Sequence, residues 1–224
     1  EATDLLDQYD IPVSHTQYAD DVEGVVQVAK KFGGSVAVKV MHKENIYPFN
    51  YDNKSQPRWK DMAMDLFSSN EVNQAATQLA YRVRERFPED DVKGFCIQQM
   101  KRGFQSVQIN MGITRDPVFG PLLVFGEGGY SVDVLADRQV MLPPLNLSLA
   151  RQLISRSHIY SVLRESSDQL ERDLEQLSNL LIKVSQMVVE LPNLKGLEIN
   201  PMLINRRCVL AEGVAVSLGA PSRL

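Results

Sequence analysis

The sequence predicts an α+β fold in two lobes whose antiparallel sheets face one another, and three observations predict it. The first third mixes helical and strand periods. The middle is a succession of strands joined by turns. Helices and then a strand pair close the chain. At 224 residues there is enough chain for one large domain or for two small ones sharing an interface.

Residues 4 to 9 read as the end of a helix stopped at Ile11-Pro12, because the residue before a proline is pushed out of helical backbone. Asp20 or Asp21 can cap the next helix, which carries Val22, Val25, Val26 and Ala29 on one face and ends at Gly33-Gly34. "SVAVKVM" is a buried strand holding one lysine, Lys39. The polar and aromatic run "HKENIYPFNYDNKSQPRWK" has no period and reads as an extended loop. "DMAMDLF" alternates as a strand. Asn70 then caps a helix with Val72, Ala75, Ala76, Leu79 and Val83 on one face, ending near Pro88. "VKGFCIQQM", "SVQINMGITR" and "PLLVFG" are strands, and the shorter "YSVDVL" and "QVML" lead to Pro143-Pro144. Two helices follow, "LSLARQLISRS" and a long one from Asp168 to Leu191. Its Leu170, Leu174, Leu177, Leu181, Val184 and Val188 form an apolar stripe. "KGLEINPMLI" and "RCVLAEGVAVSL" close the chain as a strand pair.

Composition narrows the function. A net charge of −4 argues against a nucleic-acid partner, which needs clustered Lys and Arg to neutralise phosphates. No run approaches the ~18 apolar residues that span a bilayer, so no membrane partner is expected. Cys96 and Cys208 lie far apart in apolar runs and read as buried thiols, which places the chain in a reducing cytoplasm. The chain opens on Glu1 rather than Met and reads as one domain, 1–224, excised from a longer polypeptide.

Three groups of residues can carry chemistry. Lys39 is costly to bury unless its ammonium reaches water, an acid or a phosphate. Glu198 and Asn200 are two apart on a strand and share a face, with Glu212 on the neighbouring strand. They form either an Mg²⁺ site, since that ion takes few protein oxygens and completes its shell with water and phosphates, or a solvated polar stripe. Gly128-Gly129, after the Asp116-Pro117 corner, is either a plain hairpin turn or a place where backbone N–H groups meet a phosphate or thioester oxygen. Glu127, inside that loop, reads as solvent-facing.

The succession "DPVFGPLLVFGEGG", "LPPLNLSLAR" and "LEINPMLI", followed by a strand with an acid, resembles the ATP-grasp domain of NDP-forming acyl-CoA synthetases. The nearest likeness is to the ATP-grasp segment of bacterial protein lysine acetyltransferases, where an acyl-CoA-synthetase-like region precedes a GNAT-type domain. The opening "EATDLLDQYDIPVS" through "VAVKV" is similar to the start of that segment, so the resemblance runs end to end. The motifs from 112 to 204 are its specific part.

The resemblance implies two lobes clamping a nucleotide, the first near 20–93 and the second, with the hinge, near 1–19 and 94–224. It implies that Lys39 touches the phosphates and that the hinge backbone at Gln98, Gln99 and Met100 faces adenine. Asn200 and Glu212 would hold Mg²⁺ with Glu198 beside them, and Gly128-Gly129 would lie near substrate or CoA. The implied ligands are Mg²⁺, ATP or ADP, and acetyl-CoA or CoA; the implied partners are neighbouring CoA-binding and GNAT domains.

The sequence also departs from the family. Gln99 and Gln108 stand where it carries glutamates, which weakens contacts to ribose or metal. The family's Pro-His-Lys-Ser and glycine pair has only "DNKSQPRW" as a counterpart, with Asn53 for histidine, or a displaced His42-Lys43. Asparagine cannot relay a phosphoryl group as imidazole can. His15 and His158 fall outside the family's motifs and read as surface residues, and no residue is assigned as a catalyst. These departures favour a regulatory, catalytically degraded nucleotide- and acyl-CoA-binding domain of a bacterial acetyltransferase. The alternative is the working ATP-grasp half of an acyl-CoA synthetase, passing phosphate between ATP or ADP, a histidine and an acyl group. A lobe that binds nothing is the third possibility.

Overall fold

The computed structural model describes residues 2–42, 62–86, 92–100, 106–129, 137–205 and 209–219. The expected 42–60 loop beyond His42, the "YSVDVL" strand, Asn53 and Cys208 lie outside the described residues. The chain divides into two compact units, Ser14–Arg102 and Glu1–Val13 with Gly103–Leu224. The described elements begin with α1 (Ala2–Gln8), β1 (Thr16–Ala19), α2 (Val22–Phe32), β2 (Val36–His42), β3 (Met62–Leu66), α3 (Ser69–Arg86) and β4 (Val92–Gln99). They continue with β5 (Val107–Asp116), β6 (Gly120–Glu127), β7 (Arg138–Met141), α4 (Leu147–Arg156), α5 (His158–Ser166), α6 (Leu170–Glu190), β8 (Leu194–Ile204), β9 (Val209–Ala211) and β10 (Val214–Leu218).

In the first unit, β1, β4, β2 and β3 form an antiparallel sheet in that order. Val36, Val38 and Val40 alternate with Ala37, Lys39 and Met41. The valines join Phe95 and Ile97 in a core closed by Val25 and Ala29 of α2 and Val72, Ala76, Leu79 and Val83 of α3. Asp21 caps α2, accepting from Gly24 N–H at 2.7 Å, and Gly33 ends it at φ 64°. The cap of α3 is Ser68 rather than Asn70. Ser68 Oγ accepts from Glu71 N–H at 3.2 Å, while Glu71 Oε2 accepts from Ser68 N–H at 3.0 Å. Asn70 sits inside the helix. The unit's limits, 14 and 102, lie outside the expected 20 and 93 because β1 and all of β4 pair into this sheet.

In the second unit the sheet order is β10-β8-β5-β6-β7, with β9 on the far part of β8, all antiparallel. Ile109, Met111, Ile113, Leu123, Phe125, Leu197, Ile199 and Met202 form its core with helices α4, α5 and α6 and with Leu6 and Ile11. Three helices stand where two were expected. Ser157 ends α4, then caps α5 by accepting from Ile159 N–H at 3.1 Å, and the same hydroxyl donates to Asp137 Oδ2 at 2.6 Å. The expected helix ends at Ser157 as its spacing indicates; the unexpected element is the nine-residue helix that starts directly after it, with Ile159 and Leu163 buried. The expected single final strand is likewise split at Glu212-Gly213, where both N–H groups turn to Pro201 O, at 2.9 and 3.3 Å.

The chain start is bound into this unit. Val13 bridges Ala211, and Ala211 N–H donates to Pro12 O at 2.8 Å. After α1 the chain turns through Asp10, a non-glycine residue at φ 48°. Its exposed pairing with Lys183 contributes little. Asp10→Gly is therefore expected to raise stability by up to about 1 kcal/mol, because glycine enters left-handed backbone without a Cβ penalty. Chemical denaturation of the variant checks this.

A second prediction concerns pH. Tyr9 Oη donates to Glu190 Oε2 at 2.8 Å, tying α1 to α6. Burial first, then the hydrogen bond and charge of Glu190, push the Tyr9 pKa from 10.0 up to about 12. A proton held more tightly in the folded state stabilises it fully below pH 10.0, and that contribution is lost as pH rises from there toward 12. Melting curves of wild type and Tyr9→Phe should therefore differ in slope between those limits, the wild type losing stability faster.

Candidate functional site

Each unit carries part of the predicted constellation. In the first, Lys39 is half-buried on the sheet face opposite the helices, directly across from Cys96 of β4 and Met62 of β3. Directly opposed residues share a face, so ammonium and thiol project from the same side. Burial pushes the Cys96 thiol up, and the nearby Lys39 charge partly offsets it.

The hinge segment is bound mostly to its own unit. Gln99 N–H donates to His15 O at 3.2 Å and Met100 N–H to Ser35 O at 2.9 Å. Gln98 Nε2 donates to Ser14 Oγ, and Gln99 Nε2 donates to Phe32 O at 3.0 Å, at the end of α2. That last bond requires a donor, so the amide at Gln99, where the resemblance expects a carboxylate, serves a structural role. Met100 Sδ accepts from Asp65 N–H at 3.2 Å.

In the second unit, Glu198 and Asn200 lie side by side on the sheet face away from the helices. Asn200 Nδ2 donates to Glu198 Oε1 at 3.3 Å, and Asn200 Oδ1 accepts from Gly129 N–H at 2.8 Å. The carboxylate of Glu198 is only 8% exposed. The glycine turn is held by Gly128 N–H donating to Gln108 O at 2.9 Å. Gly129 stands at φ 73°, and a Cβ there would lie 1.7 Å from Gln108 Oε1, so the Gln108 side chain closes directly over it. Glu212 follows β9 with its N–H bound to Pro201 O, one residue from Asn200.

Among the described residues no three of His, Cys, Asp and Glu gather into a metal-holding group. The oxygen donors brought together are one buried carboxylate and one amide. That set fits Mg²⁺, which is held by one or two carboxylates with water and phosphates completing its octahedron.

Two features escaped the sequence reading. Glu127 is not solvent-facing: its side chain is 21% exposed, its Oε2 is buried, and His158 Nδ1 lies 3.5 Å away. Glu127 follows Phe125 by two residues and shares its helix-facing side, which accounts for the burial. Asn110 is a polar residue only 7% exposed, lying between Gly126 and the Asn200-Pro201 step of the neighbouring strands. The usable signal was its place in "VQINMGI", where Ile109 and Met111 take the core face and assign Asn110 to the face of Glu198.

One unit is an antiparallel sheet carrying Lys39, the other presents an acid, an amide and a glycine turn on one sheet face, and together they define an α+β class of mixed antiparallel domain. The chain belongs to the ATP-grasp domain family, whose model matches residues 1–218.

Among characterised proteins it is 27% identical over 217 residues to the beta subunit of acetate–CoA ligase [ADP-forming] II of Pyrococcus furiosus, covering 96% of this chain and 86% of that one. It is 26% identical over 202 residues to the isozyme I beta subunit from the same organism, covering 90% and 83%. The match to acetate–CoA ligase [ADP-forming] I of Archaeoglobus fulgidus, 25% identical, covers 96% of this chain but 31% of that longer protein. The dinucleotide forming acetyl-coenzyme A synthetase 1 of Ca. Korarchaeum cryptofilum, solved with coenzyme A, Ca-AMPCP and HgCl⁺, has the same fold. Its TM-score is 0.82 at 23% identity, over 97% of this chain and 91% of that one. These relatives are acyl-CoA ligases, and none of these matches supports the expected lysine acetyltransferase relationship. No helix among the described residues is long and apolar enough to cross a membrane.

Proposed function

We propose that this domain is the nucleotide-binding part of an ADP-forming acyl-CoA ligase. In this reading it passes a phosphoryl group between ATP or ADP and a histidine carried elsewhere in the ligase, from which an acyl phosphate and then acyl-CoA are made. The observation that carries it is the hydrogen-bonded run Glu198–Asn200–Gly129, an acid, an amide and a backbone turn fixed on one sheet face. The relatives named above add their support, with the CoA-binding subunit or domain of the ligase as the partner. A solved relative with a phosphorylated phosphohistidine segment has a TM-score of 0.75.

In this role Glu198, Asn200 and Glu212 hold Mg²⁺, which when bound neutralises charge on the phosphates. Lys39, on its own unit's sheet face, supplies a fixed positive charge of the kind that suits a phosphate. The hinge N–H groups of Gln99 and Met100 are already engaged, so that segment offers a base acceptors rather than donors. An exocyclic amino group, as on adenine, suits it. Gly129 N–H keeps Asn200 oriented. The regulatory reading rested on the acetyltransferase likeness and on Gln99, Gln108 and Asn53; of these, the Gln99 side chain is committed to α2, and Asn53 lies outside the described residues.

Thermal unfolding with Mg-ADP, Mg-ATP, ADP plus chelator, and CoA tests the proposal. Ligand at about a hundred times its Kd adds ~2.7 kcal/mol, and each kcal/mol moves the midpoint of a domain this size by roughly 2–4 °C. A shift of that size with Mg-nucleotide that chelator abolishes is the expected result. A shift with CoA alone would overturn it.

A further inference from the structure

Asn110 has no part in the constellation above, and its surroundings are unusual. Its neighbours along β5, Ile109 and Met111, are fully buried in the helix-covered core, so its own side chain stands on the opposite face. On that face Gly126 is directly across from it on β6. Glu198 is directly across from Gly112, two residues further along β5. On β8 the register shifts beside Asn110, which brings the Asn200-Pro201 step against it.

The residue is 7% exposed and its carboxamide makes no hydrogen bond among the described residues, yet its polar atoms are not sealed: Glu127 Oε2 alone among the described side chains is both enclosed and unpartnered. An amide without a partner in the fold, whose polar atoms still open onto this face, is available to a ligand that reaches it. A strand built from Ile, Met and Val could place an apolar side chain here; it places a donor and an acceptor instead.

The groups beside it decide what it would bind. Glu198 is an acid, and Asn200 Oδ1 already accepts from Gly129 N–H while its Nδ2 turns to Glu198. The acid and Asn200 thus supply acceptors to this face, and the Asn200 amide donor is committed. Asn110 Nδ2 is an uncommitted donor, and what a donor beside a metal-holding carboxylate meets is a phosphoryl oxygen. We propose that Asn110 is a binding residue for the phosphate chain of the nucleotide, donating from Nδ2 to a phosphoryl oxygen. This rests on the Mg-nucleotide reading of the same face.

The test pairs two readouts that a structural role and a binding role move in different directions. Asn110→Leu keeps the shape and removes the polar atoms; Asn110→Ala only deletes atoms and serves if leucine fails to pack. Ligand-free melting and calorimetric titration with Mg-ADP are measured on wild type and variants. The leucine variant is expected to melt no lower than wild type without ligand and to bind Mg-ADP about tenfold or more weakly. Asn110→Asp is expected to bind more weakly still, because it sets a like charge against the phosphates. Unchanged Mg-ADP affinity in the leucine and alanine variants, with wild type binding normally, overturns this proposal alone. Wild type that fails to bind Mg-ADP overturns the nucleotide reading and this proposal with it.

Discussion

Gly112→Ala is expected to destabilise the second unit by about 3 kcal/mol or more, seen as a fall in denaturation midpoint of roughly 6–12 °C. Gly112 lies in β5 against β8, and a Cβ built there falls 2.1 Å from Leu197 O, 3.0 Å from Leu197 C and 3.2 Å from Glu198 Cα. All three are backbone atoms of a strand paired on both sides, so no flexible tip can swing away. The sheet must separate locally, and with it moves the strand that positions Glu198 and Asn200. Gly34→Ala is the control: nothing lies within 4 Å of its added Cβ, and its backbone is not left-handed. It should leave the midpoint unchanged or slightly raised. Equal stability of the two variants would mean that β5 and β8 are not as close as described.

Glu198→Gln should affect binding far more than folding. The substitution keeps length and leaves an amide oxygen to accept from Asn200 Nδ2, whose bond to Glu198 Oε1 is 3.3 Å. It removes a charge that is only 8% exposed. The isosteric amide keeps the side chain's shape and its acceptor, so the ligand-free variant should fold with stability close to that of wild type. Loss of one member of a buried charge pair costs roughly 2–5 kcal/mol in binding, about 30-fold or more in Mg-nucleotide affinity. Calorimetric titration with Mg-ADP, beside a melt without ligand, separates the two effects. Unchanged affinity in this variant would remove Glu198 from the metal site.

What the sequence disclosed was local. The valine alternation at 36, 38 and 40, the Asp21 cap with its Gly33 stop, and the α6 stripe depend on a few neighbouring residues, and each is where its spacing put it. The shared face of Glu198 and Asn200 follows from a period of two. The missed features depend on distant partners. The bond from Gly129 to Asn200 spans 71 positions, and the amide of Gln99 finds Phe32 O across 67. The helix ending at Ser157 was legible, but the next one, His158–Ser166, was not, because it is short and starts at once after a serine that caps it. Asn110 carried a local signal, since its neighbours fixed its face. What spacing could not show was that its carboxamide has no hydrogen-bonding partner among the described residues.

The tie between Val13 and Ala211 also orders events on the ribosome. The first unit is continuous, Ser14–Arg102, and all its described partners have been made once residue 102 emerges. The second unit opens with α1, yet Leu6 and Ile11, at 0% and 1% exposed in the finished domain, must wait for strands near the far end of the chain. At the ~5–20 residues per second of translation, the interval between Val13 and Ala211 is roughly 10–40 s. Through that time Leu6 and Ile11 lack the strands that bury them in the finished domain. That segment is therefore one a nascent-chain chaperone should hold until those strands arrive.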